Sequence, residues 1–143
     1  MKSIILDTGY WIALFNPEKE IDKQEVVEFV SNLIDENNYK IIIPFPTLYE
    51  FLDSKLSRKK ASKLNLQKEL SKSKYDKVYD DKYREKALKT FTHNFSFNVG
   101  DISLVDEVIK EMIFDDNLRT DIIVTFDESL KNFAKSMNLE VIE

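Results

Sequence analysis

The chain predicts a three-layer α/β/α sandwich with a mostly parallel central sheet, as one domain over residues 1–143. Three observations carry this. Ile4-Ile5-Leu6, Ile41-Ile42-Ile43 and Ile122-Ile123-Val124 are short unbroken apolar runs, the pattern of strands covered on both faces rather than one. Stretches with apolar residues at helical spacing separate them, and such alternation argues for helices laid over a parallel sheet. Two Gly and three Pro in 143 residues leave little turn chemistry for an all-β protein.

Each element has a local reason. Ile4 to Leu6 reads as a buried strand ending at Asp7, with Thr8-Gly9 as a turn and Tyr10 to Phe15 as the start of a helix packed back on the sheet. Asn16-Pro17-Glu18 connects to an amphipathic stretch over Ile21 to Leu33, stopped by Asp35-Glu36-Asn37-Asn38. Tyr39 to Ile43 is β-branched and bounded by Pro44; Thr47 can cap a helix through Leu48, Phe51, Leu52 and Leu56. Residues 57–74 form a Lys/Ser-rich surface helix. Tyr75 to Phe95 continues with Tyr79, Tyr83, Ala87, Leu88 and Phe91 at helical spacing, with room for a short strand before it. Asn98-Val99-Gly100 is a turn, Ile102 to Phe114 a helix, Asp121 to Thr125 a strand, Ser129 to Met137 a helix and Leu139 to Ile142 a last strand.

Composition narrows the chemistry. There is no Cys, so thiol catalysis, thiolate ligation and a disulfide framework are excluded. The longest apolar run, Tyr10 to Phe15, is too short to cross a bilayer, and Asp7 comes too early for a signal-peptide core, so a cytoplasmic location is expected. The net charge of −5 is unevenly spread: residues 53–89 hold 13 Lys and Arg against 6 acids. That segment can attract phosphates while the remainder concentrates carboxylates; a solvated helical surface explains it equally well.

The acids are where the chemistry gathers. Asp7 and Asp127 each follow a buried strand, and function in parallel sheets sits at the carboxyl ends of strands. Glu50 lies one turn into the helix after the second strand, and Asp106 one turn into the helix after Gly100. Four carboxylates so placed can converge on a hard cation, which takes oxygen ligands and leaves positions for water and phosphate. Each acid also has a plain reading. Asp7 and Asp127 suit helix N-caps, Glu50 complements a helix dipole, and Ser103-x-x-Asp106 fits a capping box. Capping and metal binding are compatible, because a helix start can do both.

These residues resemble a known family. Ile4, Leu6 and Asp7-Thr8-Gly9 before an apolar helix look like the opening of PIN-domain ribonucleases. Thr47-Leu48-Tyr49-Glu50-Phe51-Leu52 resembles the second-acid helix, and Ser103-Leu104-Val105-Asp106-Glu107-Val108-Ile109 the third-acid motif. Ile123-Val124-Thr125-Phe126-Asp127 resembles the closing Thr-x-Asp. The matches run in family order over residues 4 to 130 and are most similar to small stand-alone members, including VapC-type toxins. The resemblance implies a PIN-like domain and a metal-dependent endoribonuclease. Asp7, Glu50, Asp106 and Asp127 would be its catalytic Mg²⁺ or Mn²⁺ ligands, with Thr8, Asp101 and Thr125 in support. It further implies an RNA substrate, an antitoxin partner and a homodimer.

Alternatives stay open at this level. Asp101 competes with Asp106 for the third position, although the Ser-Leu-x-Asp context favours Asp106. After the first helix, where family members often carry a polar residue or His, this chain has Glu20-Ile21-Asp22. A catalytically silent module of the same fold, binding RNA or protein, is the main rival. Asp7-Thr8-Gly9 also looks like half of an aspartic-protease site, but that fold is all-β. His93, the only His, sits in no motif and is not expected to act as a base.

Overall fold

The computed structural model describes residues 2–36, 39–44, 47, 60–72, 74–96 and 104–143, without the side chains at 60–63, 91 and 93–96. Among these residues a five-stranded sheet is sandwiched between two helical layers. The elements in order are β1 (Ser3–Leu6), α1 (Thr8–Phe15), a one-turn 3₁₀ helix (Ile21–Lys23), α2 (Gln24–Glu36), β2 (Lys40–Pro44) and α3 (Lys60–Leu70). There follow β3 (Tyr75–Val78), α4 (Asp81–Ser96), α5 (Leu104–Phe114), β4 (Ile122–Val124), α6 (Glu128–Ser136) and β5 (Glu140–Ile142). The expected helix after Thr47 and the turn at Asn98-Val99-Gly100 lie outside the described residues.

All four strand pairings are parallel, in the order β3-β2-β1-β4-β5. The three isoleucine-rich runs are its central strands, in register Ile4 with Ile41 and Ile122, and Ile5 with Ile42 and Ile123. Side chains alternate across a strand, and here both sides are buried. Ile4, Leu6, Ile41, Ile43, Ile122 and Val124 meet Tyr10 and Trp11 of α1, Val27, Val30 and Ile34 of α2 and Leu66 of α3. Ile5, Ile42 and Ile123 meet Ile109 and Ile113 of α5 and Leu130 and Ala134 of α6 on the other face. The opposite side of α5 packs Val108 and Met112 on Tyr83 and Ala87 of α4.

Two local readings need correcting. Thr8-Gly9 is not a turn: Thr8 opens α1 directly, because the Asp7 side chain already caps it. What requires glycine at position 9 is close packing, since a Cβ there would lie 2.9 Å from Cδ2 of Phe126. The region from Tyr75 opens as the edge strand β3, not as helix. Its two middle residues, Asp76 and Lys77, are exposed, so it lacks the apolar signature of the central strands.

The chain leaves β1 for β2 and β3 on one side, then returns to place β4 and β5 on the other. The connections therefore reverse direction between β1 and β4. The carboxyl ends of those two strands form the topological switch point, the usual ligand position in open parallel sheets.

Candidate functional site

Asp7 stands at that switch point, directly after β1. The β1–β4 ladder continues one residue past β1, with the Asp7 amide donating to the Val124 carbonyl at 3.1 Å. The residue stays extended (φ −81°, ψ 166°) and its Oδ1 accepts the Thr8 amide at 2.8 Å. The Asp7 carbonyl accepts the Tyr10 amide at 3.1 Å, which winds the first turn of α1. The carboxylate is 7% exposed. Burying such a charge is costly without partners; the helix N-terminus supplies one.

Thr125 supplies another. It is fully buried, and its hydroxyl lies 2.8 Å from Asp7 Oδ2. An ionised carboxylate only accepts, so the hydroxyl proton points at Asp7. The same oxygen accepts the Asp127 amide at 3.1 Å. Thr125 thus bridges two residues that are 120 positions apart in sequence. Asp127 caps α6, its Oδ1 accepting the Leu130 amide at 2.8 Å. Both capping readings therefore hold, and both carboxylates remain at the sheet edge.

Thr8 reaches toward β2: its hydroxyl donates to the Thr47 carbonyl at 3.4 Å, a long contact. The Thr47 hydroxyl is itself buried with no hydrogen-bond partner among the described residues. Asp106 lies in the first turn of α5 and is buried. Beside it Glu107 and Glu111 are buried as well, Glu107 3.9 Å from Lys110 and Glu111 3.3 Å from Lys86. Sequence reasoning singled out neither of these two acids. Glu50 and Asp101 lie outside the described residues, as does the His93 side chain.

The donor chemistry suits a hard cation in part. Asp7 and Asp127 offer carboxylate oxygens at one edge, positioned by Thr125, and oxygen ligands are what Mg²⁺ and Mn²⁺ prefer. Among the described residues, however, no group of three or more acids or His gathers closely enough to hold a metal. A complete site needs a contribution from outside them, where Glu50 lies.

Phe126, between Thr125 and Asp127, was not foreseen as part of this edge. Its ring lies against Gly9, with Lys23 Nζ 5.0 Å from the ring centroid. The basic segment is less available to a ligand than its composition suggests. Of its eight described cationic side chains, six pair with acids: Lys72, Lys74, Lys82, Arg84, Lys86 and Lys89.

Fold and edge together define an open parallel α/β protein with capping carboxylates at its topological switch point. Neither a family model nor a curated protein matches the chain in sequence. Among solved structures it superposes on a chain of VapBC2 from Rickettsia felis, crystallised bound to a DNA fragment from their promoter. The TM-score is 0.63 at 17% identity, covering 97% of this chain and 96% of that one. At this identity the likeness is one of fold. No helix among the described residues is long and apolar enough to cross a membrane.

Proposed function

We propose that the chain is a divalent-metal-dependent endoribonuclease and the toxin of a toxin–antitoxin pair. The observation that carries this reading is the Asp7–Thr125–Asp127 arrangement at the switch point. It lies where a ligand of such a sheet binds, and two of its members close the sequence motifs that resemble PIN ribonucleases. The fold shared with a chain of a VapBC2 complex supports the toxin assignment and an antitoxin partner, while the homodimer rests on the sequence resemblance alone.

On this reading Asp7, Glu50, Asp106 and Asp127 would hold Mg²⁺ or Mn²⁺, with Glu50 completing a set that the described acids do not close by themselves. When bound, the ion acidifies a water and offsets charge on the phosphate. The protein's own work is placement. Thr125 fixes the rotamer of Asp7 through Oδ2, and the α1 amide fixes it through Oδ1, so the carboxylate does not reorganise when a cation arrives. Capping by Asp127 holds the second carboxylate against the same edge. No protein nucleophile is required, consistent with the lack of Cys.

The test is cleavage of single-stranded RNA by purified protein with Mn²⁺, with chelator, and by Asp7→Asn. Cleavage that needs Mn²⁺ and is lost in a folded Asp7→Asn protein is expected. RNA binding without cleavage at saturating Mn²⁺ would instead establish a silent binding module.

A further inference from the structure

The proposed site gathers acids while its proposed substrate is a polyanion, so a protein cation near it would help the metal to hold the strand. Six of the eight described cations of the basic segment pair with acids, as Lys23 does with Glu20; what distinguishes Lys23 is its seat on Phe126, the residue between Thr125 and Asp127.

The 3₁₀ turn Ile21–Lys23 is tied down by Gln24, whose side-chain amide donates to the carbonyls of Ala13 and Glu20, each at 3.0 Å. The Lys23 amide donates to the Glu20 carbonyl at 3.1 Å. Its ammonium lies 2.9 Å from Glu20 Oε2 and 5.0 Å from the centre of the Phe126 ring. That ring presses on Gly9, two residues beyond Asp7, and its backbone joins Thr125 to Asp127. The ammonium is thus held against Phe126 by two weak attractions, an ion pair and a cation–π contact. The Lys23 side chain is 31% exposed. With three donors, it can keep one partner while offering a proton to another acceptor.

We infer that Lys23, seated on Phe126, is a phosphate-binding residue that holds the backbone of single-stranded RNA across the carboxylate edge. This rests on the ribonuclease reading above. Glu20 holds the ammonium in place when no strand is bound and competes with the incoming phosphate. The two partners therefore have opposite expected effects on RNA affinity, whereas a purely structural ion pair treats its two members alike.

The experiment measures binding of a fluorescein-labelled single-stranded RNA by anisotropy across a NaCl series, in the non-cleaving Asp7→Asn background. Losing one phosphate contact on a single strand lowers the slope of log affinity against log salt by about 0.7. Taking the lines to converge near 1 M salt, Lys23→Gln weakens binding about fivefold at 0.1 M by the same relation. Lys23→Arg retains the wild-type slope, and Glu20→Gln tightens binding. Unchanged slope in folded Lys23→Gln protein, or equal weakening by Lys23→Gln and Glu20→Gln, overturns the inference. The nuclease reading fails separately. If wild-type protein shows the Lys23-dependent slope yet never cleaves RNA, the phosphate contact stands and the hydrolytic assignment falls.

Discussion

Replacing Thr125 with valine is the sharpest probe of the site, because it changes chemistry and almost no shape. Thr125 is fully buried between β4 and the Asp7 carboxylate, and valine fills the same volume. Two interactions vanish: the hydroxyl donated to Asp7 Oδ2 at 2.8 Å and the acceptor for the Asp127 amide at 3.1 Å. A hydrogen bond to a charged group contributes about 1.5–3 kcal/mol, and a neutral one about 1. The expected loss is therefore about 3 kcal/mol, a sizeable part of the ~5–15 kcal/mol typical of a domain but short of unfolding it. Trp11 is the only tryptophan and is fully buried, so its emission follows unfolding in urea. With slopes of about 1–3 kcal/mol per molar, the midpoint should fall by roughly 1–3 M with the slope unchanged. Thr125→Ser restores the hydroxyl and should recover much of the loss. RNA cleavage by Thr125→Val should drop about 10–100-fold, as for partners that orient metal ligands. A valine variant within about 0.5 kcal/mol of wild type, or a serine variant as unstable as valine, would refute the bridging role.

Two further outcomes follow from other parts of the molecule. The Tyr83 hydroxyl at 2.8 Å, with Lys82 and the Asn117 amide, holds Asp115 down from its usual 3.8 to about 2. A carboxylate depressed by folding stabilises the native state above its unfolded pKa and loses that contribution as pH falls through the folded value. The advantage of wild type over Tyr83→Phe should be full above pH 4 and fade between about 4 and 2. An NMR titration of Asp115 checks this, and an unmoved titration in Tyr83→Phe would count against it. Gly9→Ala places a methyl 2.9 Å from the Phe126 ring. Helix propensity gains up to ~1 kcal/mol while overpacking costs about 1–3, so thermal stability should fall slightly or hold. Cleavage should fall more, because the displaced ring is joined to Thr125 and Asp127. Full activity in that variant would show that the ring's position is immaterial.

The central strands were legible because burial on both faces leaves an unbroken β-branched signature, as in Ile41-Ile42-Ile43. The two capping acids were legible because Asp7 directly follows such a run and Asp127 comes three residues after another. β3 was faint because its Asp76-Lys77 pair faces solvent at the sheet edge, where no apolar pattern is imposed. Thr125 could be named as supporting, but its bridging role could not be derived. A β-branched residue ending a strand looks structural, and its partner Asp7 is 118 positions away. The same distance problem hid Lys23 and Phe126, whose contact spans more than a hundred residues with no local periodicity. In Gly9 the residue was conspicuous and its reason misleading: the turn reading was local, while the actual constraint is a ring from the far end of the chain.

The central claim is that the acids at this sheet edge share a divalent cation. A crystal soaked in Mn²⁺ and measured at the manganese absorption edge tests it directly. An anomalous peak is expected within coordination distance of Asp7 and of at least one carboxylate among Glu50, Asp106 and Asp127, lost in Asp7→Asn crystals. A saturating soak with no peak at the β1–β4 edge, or with a peak there that no carboxylate besides Asp7 reaches, would contradict it.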